Sequence, residues 1–140
     1  MVVDKTLIEQ KLETLKEFLL QIENMQFTEE GLLENIDIQQ LLSFRLQQSV
    51  EVCIDIATHI IANASLPKAE TAKDAFEVLC KNKIISKKTA ENMAKAGNFR
   101  NLIVHGYGKV DFSRIYDDYK NDLEDLRQFV REIYQYMSKL

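Results

Sequence analysis

The C-terminal part of the chain carries an unbroken apolar repeat whose spacings alternate between four and three residues. This spacing places one apolar stripe along a single helix of about seven turns. The stripe consists of Phe112, Tyr116, Tyr119, Leu123, Leu126, Val130, Ile133 and Met137. A helix with such a seam must bury it against other helices, so the sequence favours a helical bundle.

Other segments repeat the helical spacing, and the chain has only four Gly and one Pro, too few for the turns of an all-β fold. Helices are predicted from about Asp4 to Met25, from Asp37 as N-cap to Asn63, from Thr71 to Lys81, from Ser86 to about His105, and from the Asp111 to Ser113 region onward. No stretch alternates with period two. Residues 1–140 are therefore expected to form a single all-α domain, an antiparallel bundle of four to five helices.

The segments that would direct the chain to another compartment are not found in the sequence. No apolar stretch reaches the length of a membrane span, and the first residues lack the pattern of a secretory signal. Cys53 and Cys80 have no second Cys or His at zinc-ligand spacing. We expect a cytoplasmic protein that binds no membrane, no metal and no cofactor.

Charge is distributed unevenly along the chain. The window from Lys81 to Lys109 has a net charge of +6, whereas the whole chain has −4. Such a window is typical of a surface that faces phosphate or an acidic partner. The alternative is a solvated lysine-rich helix without a partner.

Only His59 and His105 are available for histidine chemistry. His59 lies in the middle of the second predicted helix and is interpreted as a packing or boundary residue rather than a ligand. His105 shares a helix face with Asn101, four residues earlier, but lies about 140° around the axis and ~7.5 Å along it from Arg100. Arg100 and His105 can therefore act on one small group only if the helix is distorted at its end or if a second copy of the chain supplies the partner group. A homodimer is the simpler solution.

These side chains match the minimum needed to cleave RNA without a metal. Histidine can move protons near neutral pH, and arginine presents a planar charged fork to phosphate oxygens. Asn101 would orient the imidazole or the scissile phosphate. The alternative is structural: Arg100 forms a surface ion pair and His105 merely ends the helix.

The segment Arg100-Asn101-Leu102-Ile103-Val104-His105-Gly106-Tyr107 resembles the R-x4-H-x-Y signature of the HepT-like group of HEPN domains. These are bacterial toxins paired with an MntA-type minimal nucleotidyltransferase antitoxin. The stretch from Phe44 to Ile61 is similar to the long second helix of that family, with its Arg-x-Leu-Gln opening and Ile-Asp-Ile-Ala centre.

The resemblance implies a type VII toxin–antitoxin function. Arg100 and His105 would line the cleft of a homodimer and cleave RNA without a metal, supported by Asn101. Tyr107 would accept AMP groups from the antitoxin, which would silence the toxin. The lysines of the basic window would then flank the cleft and attract RNA. The candidate RNA-binding lysines are Lys87, Lys88, Lys95 and Lys109.

Two other functions stay open. The chain could be a non-catalytic helical module that binds a nucleotidyltransferase partner and is modified by it. Its acidic net charge and the absence of aromatic stacking platforms interleaved with the basic residues favour this alternative. The other open function is a helical adaptor that neither cleaves RNA nor is modified by a nucleotidyltransferase.

Overall fold

The computed structural model describes residues 3–106 and 110–140. This part of the chain forms six α-helices and no strand. The helices are α1 (Lys5–Glu23), α2 (Glu29–Glu34), α3 (Ile36–Asn63), α4 (Ala72–Lys81), α5 (Lys87–His105) and α6 (Phe112–Ser138). The predicted all-α fold is confirmed, whereas the predicted count of four to five helices is too low.

The additional helix, α2, lies where the sequence predicted only a break. Thr28 caps it by accepting a hydrogen bond from the backbone N–H of Gly31 at 3.0 Å. Because α2 ends just before Asn35, this residue becomes the N-cap of α3 and accepts a hydrogen bond from the N–H of Asp37 at 2.9 Å. The prediction that Asp37 caps this helix is therefore wrong, since Asp37 lies in its first turn.

The other predicted helix starts are confirmed by side-chain caps. Thr71 accepts from the N–H of Asp74, and Asp111 accepts from the N–H of Arg114. Each cap satisfies a backbone donor that the first helical turn leaves without a partner. These bonds join residues three positions apart, so the local sequence is enough to predict them.

The helices pack around one core. α1 lies antiparallel to α3, as shown by contacts of Lys11 with Asp55 and of Arg45 with the carbonyl of Gln21. α4 packs on α5, and α6 packs across α1, α2, α3 and α5. Most of the predicted α6 seam is buried, and so is the whole apolar stripe of α1. Within the described residues, no helix combines the length and the apolar character needed to cross a membrane.

Candidate active site

Helix α5 carries the candidate catalytic residues at its C-terminal end. Ser86 caps its N-terminus by accepting a hydrogen bond from the N–H of Thr89 at 3.1 Å. At the other end, the N–H of Gly106 donates to the carbonyl of Leu102 at 2.7 Å. The helix is regular from Lys87 to His105. It therefore ends where the sequence predicted, at His105.

Arg100 points from α5 towards α3. Its Nε lies 3.1 Å from Oε1 of Glu51, and the side chains of Arg100 and Glu51 are 22% and 41% exposed. Arg100 thus forms an ion pair, as the structural alternative predicted. The pair is partly buried between two helices, so it is screened less by solvent than an ion pair on an open surface.

The Nε of Arg100 is enclosed by protein, yet its N–H is not aligned for a hydrogen bond with any described acceptor. Glu51 is near enough to compensate the charge but lies off the direction of the donor. A buried charged donor without an aligned acceptor is unfavourable by about 1–3 kcal/mol. A small movement of Glu51 or of the guanidinium would remove this cost.

Asn101 and His105 are exposed on another side of α5. Among the described residues, no hydrogen bond joins these two side chains. Because the helix is regular through both positions, Arg100 and His105 diverge by about 140° around its axis. Arg100 and His105 could act together through a distorted helix end or through a second copy of the chain. The regular helix of this structure does not provide the distortion.

Three of the candidate RNA-binding lysines, Lys87, Lys88 and Lys95, lie along α5. Lys87 and Lys88 are in its first turn, about 18–20 Å along the axis from Arg100. Lys88 and Lys95 act electrostatically on the carboxylate of Asp125 in α6. Part of the positive charge therefore faces an acidic neighbour within the same chain. A role of Lys87, Lys88 and Lys95 in RNA binding stays a prediction.

Two of the candidate site residues, Tyr107 and Lys109, lie outside the described residues. The predicted modification of Tyr107 and the predicted RNA contact of Lys109 stay predictions from the sequence.

Sequence reasoning missed Glu51, the residue that contacts Arg100. Glu51 and Asp55 are the only charged residues in the otherwise uncharged stretch from Leu46 to Asn63. Charged residues in such a stretch are a signal for a buried or interfacial partner. The identity of that partner depends on the packing of α3 against α5.

An exposed apolar stripe continues from Glu51 along α3. Phe44 precedes Glu51 by seven residues, which places both on the same helix face, and Phe44 is 54% exposed. Leu41, three residues before Phe44, is also exposed. Large exposed apolar side chains that adjoin a charged site are typical of an interaction surface.

A groove of about 540 Å³ lies between α3, α5 and α6. Its apolar lining includes Leu46, Val50, Phe99, Leu102 and Leu126. Its acidic lining residues are Asp111, Asp118, Asp122 and Asp125. The described residues contain no group of three His, Cys, Asp or Glu side chains that could hold a metal ion.

Comparison with protein families gives one match that spans most of the chain. The family described as Ribonuclease HepT-like matches residues 8–133. The mRNA nuclease HepT of Shewanella oneidensis is 28% identical over 120 residues, which cover 86% of this chain and 90% of the relative. The tRNA nuclease HepT of Aphanizomenon flos-aquae is 27% identical over 140 residues, which cover 99% of this chain and 95% of the relative.

Solved structures show the same similarity. A tri-AMPylated HEPN toxin of Shewanella oneidensis in complex with an MNT antitoxin superposes with a TM-score of 0.85 at 27% identity, covering 91% of this chain and 96% of the toxin. The cytosolic protein YutE of Bacillus subtilis superposes with a TM-score of 0.84 at 19% identity, covering 98% of this chain and 92% of YutE. The likeness to YutE concerns the fold alone.

Proposed function

Since the chain belongs to the HepT-like ribonuclease family, we propose that it is a metal-independent endoribonuclease, the toxin of a HEPN/MNT toxin–antitoxin pair. RNA is cleaved in a cleft between two copies of the chain. The proposal depends on one observation above all, the regular course of α5 through Arg100 and His105. Because one helix cannot bring both groups to a single phosphate, a second copy must supply the missing one.

The chemistry follows from the residue types. His105 accepts the proton of the RNA 2′-hydroxyl, whose oxygen attacks the adjacent phosphorus. The bond from phosphorus to the 5′-oxygen breaks, and that oxygen takes a proton from an imidazolium. Two copies of the chain provide two imidazoles, one for each proton transfer. Arg100 stabilises the charge that develops on the phosphate oxygens, and Asn101 orients the neighbouring groups.

The exposed stripe of α3 supports assembly through this side of the molecule. Phe44 and Leu41 would be buried between the two copies, and their burial would stabilise the dimer by the hydrophobic effect. Because Phe44 shares its helix face with Glu51, an interface on this stripe reaches Arg100 directly.

Silencing by AMPylation of Tyr107 completes the proposal. Tyr107 follows His105 by two residues. A nucleotide attached there would place anionic phosphate and bulk beside the groups that bind the RNA phosphate. The relative in complex with an MNT antitoxin is itself AMPylated, which supports a nucleotidyltransferase as the partner of this chain.

The test is RNA cleavage by the purified chain in the presence of a chelator. We expect cleavage by the wild type, and a loss of at least ~100-fold for Arg100→Ala and for His105→Ala. His59→Ala is the matched control, because His59 lies in the middle of α3 and contacts Asn63. Equal cleavage by all four proteins would overturn the catalytic assignment, and inhibition of the wild type by the chelator would overturn metal independence.

The non-catalytic module remains the second candidate. It is favoured by the electrostatic interaction of Lys88 and Lys95 with Asp125, an acidic neighbour in the same chain. On this alternative, incubation with the nucleotidyltransferase and ATP adds the mass of AMP to Tyr107, while the unmodified chain cleaves no RNA. Mass spectrometry and the cleavage assay together separate the two functions.

A further inference from the structure

We propose that Glu51 is a positioning residue for Arg100 in the reaction proposed above, on which this inference rests. Glu51 holds the guanidinium from its Nε side, and the terminal nitrogens remain available for the RNA phosphate. Glu51 lies on α3, outside the R-x4-H-x-Y segment, so α3 also contributes to the site.

The geometry of the ion pair carries the inference. Glu51 approaches Arg100 at Nε, with a distance of 3.1 Å to Oε1. Within the described part of the chain, no hydrogen bond involves the terminal nitrogens of Arg100. Other arginines are arranged differently, since Arg127 and Arg131 use terminal nitrogens to bind Glu23 and Glu124. Of these three arginines, only Arg100 has both terminal nitrogens free of hydrogen bonds within the described chain. These two nitrogens can bind two oxygens of one phosphate group.

The Nε of Arg100 is buried, so only a protein group at the position of Glu51 can contact it. Because protein encloses the Nε of Arg100, water cannot take the place of Glu51 beside it. The side chain of Arg100 is also less exposed than that of Glu51, so the guanidinium is confined and the carboxylate has room to adjust. An arginine already confined in its binding orientation loses less conformational freedom when it binds phosphate.

The carboxylate of Glu51 beside Arg100 could also lower activity instead of supporting it. It would then compete with the RNA phosphate for Arg100, and its removal would increase activity. The two roles predict changes of opposite sign, so substitution of Glu51 separates them.

The experiment compares Glu51→Ala and Glu51→Gln with the wild type, measuring kcat, KM and Tm in the RNA cleavage assay. We expect Glu51→Ala to lower kcat/KM by about 10- to 100-fold and to lower Tm only slightly, because the carboxylate is 41% exposed. Glu51→Gln keeps an oxygen near the Nε but removes the charge, so it should recover only part of this loss. Glu77→Ala is the matched control, because Glu77 is a partly exposed glutamate that pairs with Lys73 on α4.

A double variant completes the experiment. If Glu51 acts through Arg100, adding Glu51→Ala to Arg100→Ala causes no further loss. Glu51→Ala with wild-type or higher activity would overturn the positioning role while Arg100→Ala still abolishes cleavage. Full activity of Arg100→Ala would instead overturn the proposed function, so the two failures are distinguishable.

Discussion

The carboxylate of Glu132 in α6 accepts a hydrogen bond from the backbone N–H of Ser86, the residue that caps α5. The same carboxylate accepts hydrogen bonds from the hydroxyl of Thr89 and from Gln128. Glu132 is only 8% exposed. One acidic side chain of α6 therefore holds the start of the helix whose far end carries Arg100 and His105.

Substitution of Glu132 should destabilise the fold. Glu132→Ala leaves the N–H of Ser86 and the hydroxyl of Thr89 without this acceptor in a buried position, which costs about 1–3 kcal/mol. Urea denaturation measures the change. Glu124→Ala, which removes an exposed carboxylate of the same helix, is the control and should have a much smaller effect. Equal stability of the two variants would contradict the role of Glu132.

The contribution of Glu132 should depend on pH. Burial alone would raise the pKa of this carboxyl, but hydrogen bonds from Thr89, Ser86 and Gln128 outweigh burial and lower the pKa below the ordinary 4.5. The ionised form is therefore favoured by folding, and its stabilising effect is present above pH 4.5 and lost as the pH falls through the lowered pKa. We expect the difference in unfolding free energy between wild type and Glu132→Gln to shrink below pH 4.5. A difference that stays constant down to pH 3 would contradict the prediction.

Asp122 should show the opposite dependence. Burial and the nearby carboxylates of Asp125 and Asp118 raise the pKa of Asp122 from 3.8 to about 6. Folding therefore favours the protonated form, and this advantage is complete below pH 3.8 and lost as the pH rises through 6. Asp122→Asn should be more stable than the wild type at pH 7.5, by less than about 1 kcal/mol, because the side chain is only partly enclosed and water screens its charge.

The measurement for Asp122 is denaturation at pH 5 and at pH 7.5. Asp117→Asn is the control, because Asp117 is an exposed carboxylate on the same helix and does not line the groove. If Asp122→Asn gained more stability at pH 5 than at pH 7.5, the predicted direction of the pH dependence would be wrong.

Gly106→Ala should disturb the end of α5 next to His105. The φ of Gly106 is −100°, so its conformation suits any residue. The constraint is a close approach, since an added Cβ would lie 2.6 Å from the carbonyl oxygen of Leu102. We expect a lower Tm and reduced RNA cleavage. Gly97→Ala, where the nearest atom is the Cβ of Ala72 at 3.2 Å, is the milder control.

Phe44→Ser should separate the proposed dimer into single chains. The side chain is 54% exposed in the single chain, so its loss should leave the fold intact while removing apolar area from the interface. Sedimentation and the cleavage assay measure assembly and activity together. Leu140→Ser is the control, since Leu140 is 53% exposed and lies at the end of the described chain. A dimeric and fully active Phe44→Ser protein would exclude this stripe as the interface.

The local features of the fold were predictable because they depend on residues a few positions apart. The apolar residues that recur at helical spacing in α1 are all buried, namely Ile8, Leu12, Leu15, Leu19 and Ile22. The start of α3 was misplaced because Asn35 and Asp37 are both good N-caps, and only the presence of α2 decides between them.

Two helix ends show the limit of such patterns. After α3 and α4, the left-handed residues are Ser65 and Lys83, with φ of 56° and 60°. Glycine usually takes this conformation, so neither end carries the ordinary sequence signal. The burial of Ile84 directly after Lys83 shows how tertiary packing imposes the turn.

The sequence alone determined the helical class, most helix boundaries and the segment with Arg100, Asn101 and His105, since spacing and caps act over a single turn. Tertiary structure decided which side chain meets Arg100. Glu51 lies 49 positions earlier in the chain, and only the packing of α3 against α5 brings its carboxylate to 3.1 Å from the guanidinium. A contact of that kind depends on the burial of two whole helix faces, which no local pattern specifies.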